Sequence, residues 1–487
     1  MMSLSEYKKF YEKYNLIPVY KTWIADTETP VTLYQKMKPL KPIYLLESVE
    51  GSRNIARYSF IGLNPFIVVK GNFKEVKVES ENEVLSFNLN PLDVLKRELF
   101  KFKSPILKEL PYFYGGAVGY IAYDVVSTLE ELPATAAKDL DIPDIFFVFC
   151  DAVLIFDHVK HTLTAVVNTR KKGNSSEDYQ RAKNTLDEVE RLLYYGNLDN
   201  AKSDFEYSDA KSSFAKNEFI KVVNKAKEYI IAGDIFQVVL SQRFECSYIG
   251  SAFDAYRRLR SLNPSPYMYF LDLGKAKIAG ASPEMLVKVE NNIVQTRPIA
   301  GTRPRGKNES EDGSLERDLL SDEKERAEHV MLVDLGRNDI GRVCVPGSVE
   351  VDSYMKIEKY SHVMHIVSNV KGRLKEGKTA FDALKACFPA GTLSGAPKIR
   401  AMEIIDELES IRRGVYGGAV GYFGYNGSMD TAIAIRTVVF YEGKAYFQAG
   451  AGVVFDSDPE SEYYECINKA SAVARALGIE DLKGVLK

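Results

Sequence analysis

Residues 431–455 read TAIAIRTVVFYEGKAYFQAGAGVVF, and this stretch decides the fold class. Its two apolar runs are rich in Val, Ile, Tyr and Phe, a pattern that predicts β-strands. Further out, FQVVLSQRFEC at 236–246 is another strand pattern. Helical periodicity recurs at 219–233, 322–340 and 398–411. From residue 217 onward the sequence therefore predicts an α+β fold with mainly antiparallel strand pairing.

The N-terminal part of the chain is richer in strand patterns. Runs such as PFIVVKG and DIFFVFCDAVLIFD follow one another between residues 17 and 167, separated by Gly, Pro and Asn. After them comes a polar segment with one amphipathic stretch, RAKNTLDEVERLLYY. We therefore expect a β-rich lobe over 1–170, a connecting segment over 171–216 and a catalytic region over 217–487.

One heptapeptide, YGGAVGY, occurs twice, at 114–120 and at 416–422. No regular period accompanies it, so a solenoid or propeller is not indicated. Either the two copies share a structural role, or two strands have similar Gly-rich ends by coincidence. The sequence leaves both interpretations open.

Composition excludes several classes of function. The 487 residues carry a formal net charge of −3 and no run of 18 apolar residues, so neither nucleic acid nor a membrane is an expected partner. The five cysteines form no C-x-x-C pair, which argues against a zinc site or a disulfide framework. The N-terminus has charges where a secretory signal would be apolar. We expect a cytoplasmic protein that acts on a small molecule.

Two helical segments each carry a pair of glutamates three residues apart, Glu325 with Glu328 and Glu462 with Glu465. Residues at this spacing share one helix face. Just before the second pair, Asp458 and Pro459 suit the N-cap and the first helical position. Two such faces brought together would offer carboxylate oxygens to Mg²⁺. The alternative is that both pairs lie on solvated helix faces.

Alternation in DTAIAIRTVVFY predicts one strand with Arg436 on the same face as two alanines. If that face is inward, the guanidinium needs a partner, and a substrate carboxylate would be a strong one. An exposed arginine at the end of a strand is the alternative. Downstream, Gly450, Ala451 and Gly452 suggest a close approach to the backbone or a bulge.

The segment KYSHVMHIVSNV reads as a strand that would place His362 and His365 on opposite faces. Either imidazole could carry a proton near neutral pH, although a single histidine on a strand is often structural. The loop FPAGTLSGAPKI, which contains Thr392, precedes a helical stretch and would present backbone N–H groups to an anion. It lacks the G-K-[ST] of a Walker A loop.

Taken together and in order, these segments resemble the chorismate-utilising enzyme family, and within it the branch whose members make anthranilate. The similarity covers nearly the whole chain. It rests on LLES, GDIFQVVLSQRF, NPSPYMYF, ASPEMLV, RPIAGTRPRG, DEKERAEHVMLVDLGRNDIGRV, HVMHIVSNV, FPAGTLSGAPKIRAMEII, VYGGAVGYFGY, TAIAIRT and AGAGVVFDSDPESEYYE. The resemblance implies a two-lobed fold in which packed, largely antiparallel sheets are flanked by outer helices.

The resemblance also implies roles for residues of this sequence. Glu328 and Glu465 correspond to the magnesium ligands, with Glu325 and Glu462 beside them. His365 and Thr392 line the reacting ring, and His365 is the candidate for proton transfer. The substrate-contacting positions are Gly301, Thr302, Tyr416, Arg436, Gly450, Ala451 and Gly452.

The implied reaction converts chorismate and ammonia into anthranilate and pyruvate. Related aminodeoxychorismate synthases carry Lys where this chain has Ala300, and isochorismate and salicylate synthases carry a water-activating Lys where it has Gln237. Both lysines are absent, and the lack of a general base is tolerable if the nucleophile is ammonia, so the two departures point to anthranilate as the product. No cysteine stands at a Gly-flanked elbow, so we expect the ammonia to come from a separate glutamine amidotransferase subunit, in a hetero-oligomer that we expect to be a heterotetramer.

LLES and NPSPYM resemble the family's site for feedback inhibition by L-tryptophan. The residues implied are Leu46, Ser48, Pro266, Tyr267, Met268, Val420 and Tyr422. An ordinary buried strand is the alternative reading of LLES alone. The alternatives for the whole chain are an aminodeoxychorismate synthase and an inactive, tryptophan-binding regulatory homologue.

Overall fold

The structure is a computed structural model that describes residues 1–48, 57–198, 206–208, 210–360 and 363–486. Its helices are α1 Leu4–Lys13, α2 Pro30–Lys36, α3 Pro91–Phe100, α4 Ser175–Tyr195, α5 Lys216–Ile231, α6 Ala252–Leu262, α7 Glu309–Ser321, α8 Glu323–Gly341, α9 Ala380–Cys387, α10 Gly391–Ser394, α11 Lys398–Leu408, α12 Pro459–Ala476 and α13 Leu482–Val485. None of these helices combines the length and the apolar character that crossing a bilayer requires.

The strands before residue 200 are β1 Leu16–Ile24, β2 Pro42–Glu47, β3 Tyr58–Gly71, β4 Val76–Ser80, β5 Val84–Phe87, β6 Gly116–Ile121, β7 Ile145–Asp157 and β8 Thr162–Arg170. The strands after it are β9 Glu206–Tyr207, β10 Lys211–Ser212, β11 Gln237–Ile249, β12 Tyr267–Asp272, β13 Ala276–Ser282, β14 Met285–Glu290, β15 Ile293–Thr296, β16 Ile299–Pro304, β17 Glu350–Lys359, β18 Val363–Arg373, β19 Gly395–Ala396, β20 Ala419–Gly424, β21 Met429–Ile433, β22 Thr437–Tyr441 and β23 Lys444–Val453.

The long strands β3 and β7 pair with each other and begin two branches of antiparallel strands. One branch runs from β3 through β2, β12, β13, β22 and β23 to β11. The other runs from β7 through β6, β20, β21, β14 and β15 to β18, which also pairs with β16 and β17.

The two branches face each other across an apolar layer. On β12, Tyr269 and Leu271 point into this layer, while the alternate residues Met268 and Phe270 point to the outer helices. The same alternation on β20 places Tyr422 in the layer. Because β12 and β20 each bury both faces, their apolar residues run almost without interruption. The predicted α+β fold of packed antiparallel sheets with outer helices is confirmed.

The two copies of YGGAVGY form neighbouring strands. β6 and β20 pair antiparallel, and Gly119 of the first copy lies opposite Gly421 of the second. A Cβ at Gly119 would lie 1.8 Å from the carbonyl oxygen of Phe146, and one at Gly421 would lie 2.0 Å from that of Asp430. Only glycine fits at either position, so the repeat has a structural role in joining the two halves of the chain.

The prediction of one continuous strand over 430–441 is wrong. β21 ends at Ile433 and pairs with β14 and β20, whereas β22 begins at Thr437 and pairs with β13 and β23. Because these partners belong to different branches, the chain must leave one ladder before it joins the other. Arg436 lies in this connection with φ 49°, and strand alternation does not set its direction.

The expected division at residues 170 and 216 stays a prediction. β8 ends at Arg170 and α4 fills much of the expected connecting segment. Strand pairs also cross this division, since β2 pairs with β12 and β6 with β20.

Candidate active site

The four predicted acidic residues lie in the first turns of α8 and α12. Asp322 caps α8 by accepting hydrogen bonds from two backbone N–H groups, and Asp458 caps α12 with Pro459 at its first position, as expected. The two helix starts approach each other, because Lys324 on α8 is close enough to oppose the rise in the pKa of Glu462 on α12.

Three of these carboxylates contact groups of the chain. Glu328 accepts a hydrogen bond from Gln237 Nε2 at 3.3 Å, Glu325 accepts one from Arg303 at 3.3 Å, and Glu465 pairs with Lys469 at 2.7 Å. Burial raises the pKa of Glu325 and of Glu462, and in each case the neighbouring glutamate adds to the rise.

The fourth carboxylate, that of Glu462, is only partly satisfied, since it interacts with Ser457 through a side-chain hydrogen bond. Glu462 Oε2 is buried and has no hydrogen-bond partner in the described part of the chain. An unpaired buried carboxylate oxygen is costly and suits a cation, and an all-carboxylate donor set suits Mg²⁺. No three Asp, Glu, His or Cys side chains among the described residues are grouped closely enough to hold a metal ion. The donors fit magnesium in chemistry, while Glu325 and Glu465 are turned to Arg303 and Lys469.

His365 lies on β18 opposite Thr302 of β16, at a bulge where Gly301 adopts φ 67°. Its Nδ1 lies 2.9 Å from the carbonyl oxygen of Gly301 and 3.1 Å from the Thr302 hydroxyl. Since a carbonyl only accepts, Nδ1 carries the proton and Nε2 is left with a lone pair. Burial lowers the pKa of His365, and the charge of Arg436 lowers it further. His362 lies outside the described residues.

Arg436 is a partly buried cation. Its guanidinium has no hydrogen-bond acceptor among the residues that the structure describes. Burial lowers its pKa, while Tyr360 and Glu284 lie close enough to oppose that shift. A partly buried guanidinium with free donors is a site for a planar anion, and a carboxylate can bind it in bidentate geometry.

Glu284, which the sequence reasoning did not single out, completes this part of the site. Its carboxyl is buried, accepts a hydrogen bond from the Thr392 hydroxyl at 3.1 Å and lies near Arg436. Burial raises the pKa of Glu284 to about 8. Its sequence signal is one acidic residue within the otherwise apolar ASPEMLV. The group is therefore a candidate proton donor at neutral pH.

The three-residue segment from Gly450 to Gly452 lies on β23 against β11. A Cβ at Gly450 would lie 2.8 Å from the Tyr416 hydroxyl, and one at Gly452 would lie 2.7 Å from Gln237 Nε2. Ala451 points the other way, into the outer apolar core. The glycines thus leave room for the Tyr416 hydroxyl and for the Gln237 amide that contacts Glu328.

A second site lies between the two branches. A cavity of about 690 Å³ is lined by all seven residues of the expected regulatory site: Leu46, Ser48, Pro266, Tyr267, Met268, Val420 and Tyr422. Phe113 stacks on Tyr422 with ring centroids 4.1 Å apart, and the Tyr267 hydroxyl donates to Asp430 at 3.1 Å. The buried Ser48 hydroxyl has no partner among the described residues. The cavity therefore offers aromatic walls, a carboxylate and a free hydroxyl.

Comparison with known proteins identifies the class. The family described as "chorismate binding enzyme" matches residues 41–475. The chain therefore belongs to this family of enzymes, and the resemblance found in the sequence is confirmed.

Individual relatives show which members of the family this chain is similar to. A protein named anthranilate synthase component 1 from Acetivibrio thermocellus is 50% identical over 485 residues, 98% of either chain. One of the same name from Aquifex aeolicus is 48% identical over 99% of this chain and 98% of its own. The crystal structure of anthranilate synthase component I from Streptococcus pneumoniae superposes with a TM-score of 0.77 at 44% identity, covering 86% of this chain and 92% of that one.

A more distant structure shares the fold alone. The menaquinone-specific isochorismate synthase of Escherichia coli superposes with a TM-score of 0.71 at 16% identity, over 97% of this chain and 99% of that one.

Proposed function

We propose that this chain converts chorismate and ammonia into anthranilate and pyruvate. The observation that carries the proposal is the partly buried, unpaired guanidinium of Arg436 beside two proton-carrying groups, Glu284 and His365. Chorismate is a dianion whose ring carries a hydroxyl to be lost and an enolpyruvyl group to be eliminated. Relatives at 50% and 48% identity that bear the name anthranilate synthase component 1 support the same reaction.

Arg436 would bind one carboxylate of chorismate. The Tyr416 hydroxyl, which has no hydrogen-bond acceptor in the described ranges, and the backbone at Gly450 and Gly452 would contact the substrate beside it. Gly301 and Thr302 would do the same from β16 while orienting His365. A carboxylate at Arg436 would compensate the charge of the partly buried guanidinium as well as accept its hydrogen bonds.

Magnesium would be held by Glu328 and Glu465, with Glu325 and Glu462 beside them. The unsatisfied Glu462 oxygen supports this assignment. When bound, the ion would neutralise the second carboxylate of the substrate and act as a Lewis acid. Gln237 donates a hydrogen bond to Glu328 and would hold the Glu328 carboxylate in place.

The two chemical steps need different proton carriers. In the first step ammonia bonds to ring carbon 2 while the hydroxyl leaves carbon 4 as water, and Glu284 is placed to supply the proton, held in position by Thr392. In the second step the proton on carbon 2 is removed, enolpyruvate departs from carbon 3 and takes up a proton as pyruvate, and the ring becomes aromatic. The unprotonated Nε2 of His365 is the base for this step.

Ammonia would come from a partner subunit. The relatives are named component 1, which implies a second component. All five cysteines of this chain are buried, and burial raises the pKa of their thiols, so none has the character of a glutaminase nucleophile. We therefore assign glutamine hydrolysis to a separate amidotransferase in a hetero-oligomer, which we propose to be a heterotetramer.

The cavity between the branches would bind L-tryptophan as a feedback inhibitor. The indole suits the aromatic walls that include Tyr422, and the ammonium group suits Asp430. Ser48 offers an unused hydroxyl to the carboxylate of the amino acid. Feedback inhibition of this kind fits the proposed role as a cytoplasmic enzyme of amino-acid biosynthesis.

The test is product identification. The purified chain is incubated with chorismate, Mg²⁺ and ammonium at alkaline pH, and the mixture is analysed by chromatography with mass detection. Anthranilate and pyruvate in equal amounts support the proposal. Accumulation of aminodeoxychorismate would make the chain an aminodeoxychorismate synthase, and unchanged chorismate would leave an inactive homologue.

A further inference from the structure

A buried ion pair lies behind the proposed substrate site and has no role in the chemistry above. Glu409 directly follows α11, and Arg413 stands four residues later. Their side chains are only 4% and 2% exposed. Arg413 donates from Nε and Nη2 to the two carboxylate oxygens of Glu409, at 2.8 and 2.7 Å. This two-pronged geometry fixes both groups against each other.

The guanidinium also holds two backbone segments of the site. Arg413 Nη1 donates to the carbonyl oxygen of Leu393 at 2.6 Å, and Nη2 donates to that of Val239 at 2.7 Å. Leu393 directly follows Thr392, and Val239 lies opposite Gly452 in the β11–β23 ladder. The charge also lies 5.7 Å from the centre of the Tyr416 ring. One side chain therefore contacts three separate parts of the substrate site.

The carboxylate extends the same network along β11. Glu409 Oε1 accepts hydrogen bonds from the backbone N–H and the hydroxyl of Ser241, at 2.8 and 2.9 Å. Ser241 lies opposite Gly450, and its hydroxyl accepts a hydrogen bond from Gln448 at 2.8 Å. The backbone at Gly450 is therefore held as firmly as that at Gly452.

Stability alone does not explain a pair in this place. Two apolar side chains of similar volume often stabilise a core as well as a buried ion pair does. They could not, however, hold the carbonyl groups of Leu393 and Val239 at fixed positions. We propose that Glu409 and Arg413 form a positioning pair that sets Thr392, Tyr416 and the Gly450–Gly452 backbone relative to one another. This inference rests on the function proposed above.

The decisive experiment separates positioning from stability. The double variant Glu409→Leu with Arg413→Met removes both charges, so no unpaired charge stays buried. We expect its melting temperature to stay near that of the parent while kcat/KM for chorismate falls about 100-fold, the scale that a displacement of about 1 Å produces. The Mg²⁺ concentration for half-maximal activity should not change, since the pair contacts none of the four acidic residues.

Two further variants serve as a control and as an alternative test. Glu28→Gln weakens the ion pair with Lys36 of α2, whose side chains are 11% and 12% exposed, and should keep the parental kcat/KM because neither residue belongs to the proposed substrate site. If the double variant does not fold, Arg413→Lys decides instead. It keeps a cation for Glu409 but loses the fork that reaches both carbonyls, and we expect about tenfold lower kcat/KM at an unchanged melting temperature.

The outcomes are distinct from those for the proposed function. No anthranilate from the parent chain refutes that function, whatever the variants do. An active parent and a folded double variant with parental kcat/KM overturn the positioning role. If the double variant is unfolded, a parental kcat/KM in Arg413→Lys overturns the positioning role instead.

Discussion

Replacing Glu284 by Gln removes one proton from the site while keeping the shape of the side chain. The amide oxygen can still accept the hydrogen bond from Thr392. The ordinary pKa of a glutamate is 4.5, and that of Glu284 is about 8. At pH 7 about one ordinary glutamate in 300 would be protonated, against about nine in ten for Glu284. Burial therefore enriches the acid form about 300-fold.

We expect Glu284→Gln to lower kcat for chorismate consumption at pH 7 by about 100-fold or more, the usual contribution of a general acid. In the parent, kcat should fall about tenfold per pH unit above pH 8, as Glu284 loses its proton. This fall should be absent in the variant. The assay follows chorismate loss with the concentration of unprotonated ammonia held constant across the pH range. Glu98→Gln, which changes another buried glutamate in α3, is the matched control and should behave like the parent.

The same proton affects stability. Above about pH 4.5 an unfolded chain has released it, whereas the folded chain keeps it up to about pH 8, so the stability that protonation contributes is lost as pH rises through this range. The full effect is about 5 kcal/mol. Between pH 6 and pH 9 the melting temperature should fall less in Glu284→Gln than in the parent. A variant with parental kcat and an unchanged pH profile would refute the acid role.

Five other variants test the remaining assignments. Glu328→Gln or Glu465→Gln should abolish activity at ordinary Mg²⁺ concentrations, because each removes an anionic oxygen from the ion; near-normal turnover would show that these pairs are solvated. Arg436→Lys should raise KM for chorismate strongly, since a lysine ammonium cannot bind a carboxylate in bidentate geometry. An unchanged kcat/KM would show that Arg436 does not belong to the substrate site. His365→Met should consume chorismate yet release an aminated, non-aromatic intermediate detectable by mass; anthranilate at the parental rate would assign the proton to another group. Ser48→Phe should fill the cavity and relieve inhibition by tryptophan without loss of turnover, and parental inhibition would exclude the cavity.

Local features of the fold could be predicted from the sequence because their causes are local. The N-terminus of α12 follows from Asp458 and Pro459, and the strand and helix patterns follow from side-chain periodicity. The break between β21 and β22 could not be predicted in this way. It depends on partners in different branches, and the alternation of apolar residues continues across it.

The same distinction between local and long-range causes applies to the candidate site. The spacing of Glu462 and Glu465 on one helix was readable, but the hydrogen bond between Thr392 and Glu284 joins residues 108 positions apart. Arg413 and Val239 are 174 positions apart. No periodicity predicts contacts at such separations, so the hydrogen bonds that Glu284 and Arg413 make across the site become visible only when the sheets have assembled.

The two proton carriers are made distinct by their surroundings. Burial acts on both in the direction of the neutral form, so it raises the pKa of the Glu284 carboxyl and lowers that of the His365 imidazole. Near neutral pH the carboxyl therefore holds a proton to give, and the imidazole has a lone pair to receive one. This is the reverse of their states in water at slightly acid pH, where glutamate is the base and histidine the acid. A reaction that first expels a hydroxyl and then removes a ring proton needs an acid for the first step and a base for the second. One low-polarity environment supplies both the acid and the base.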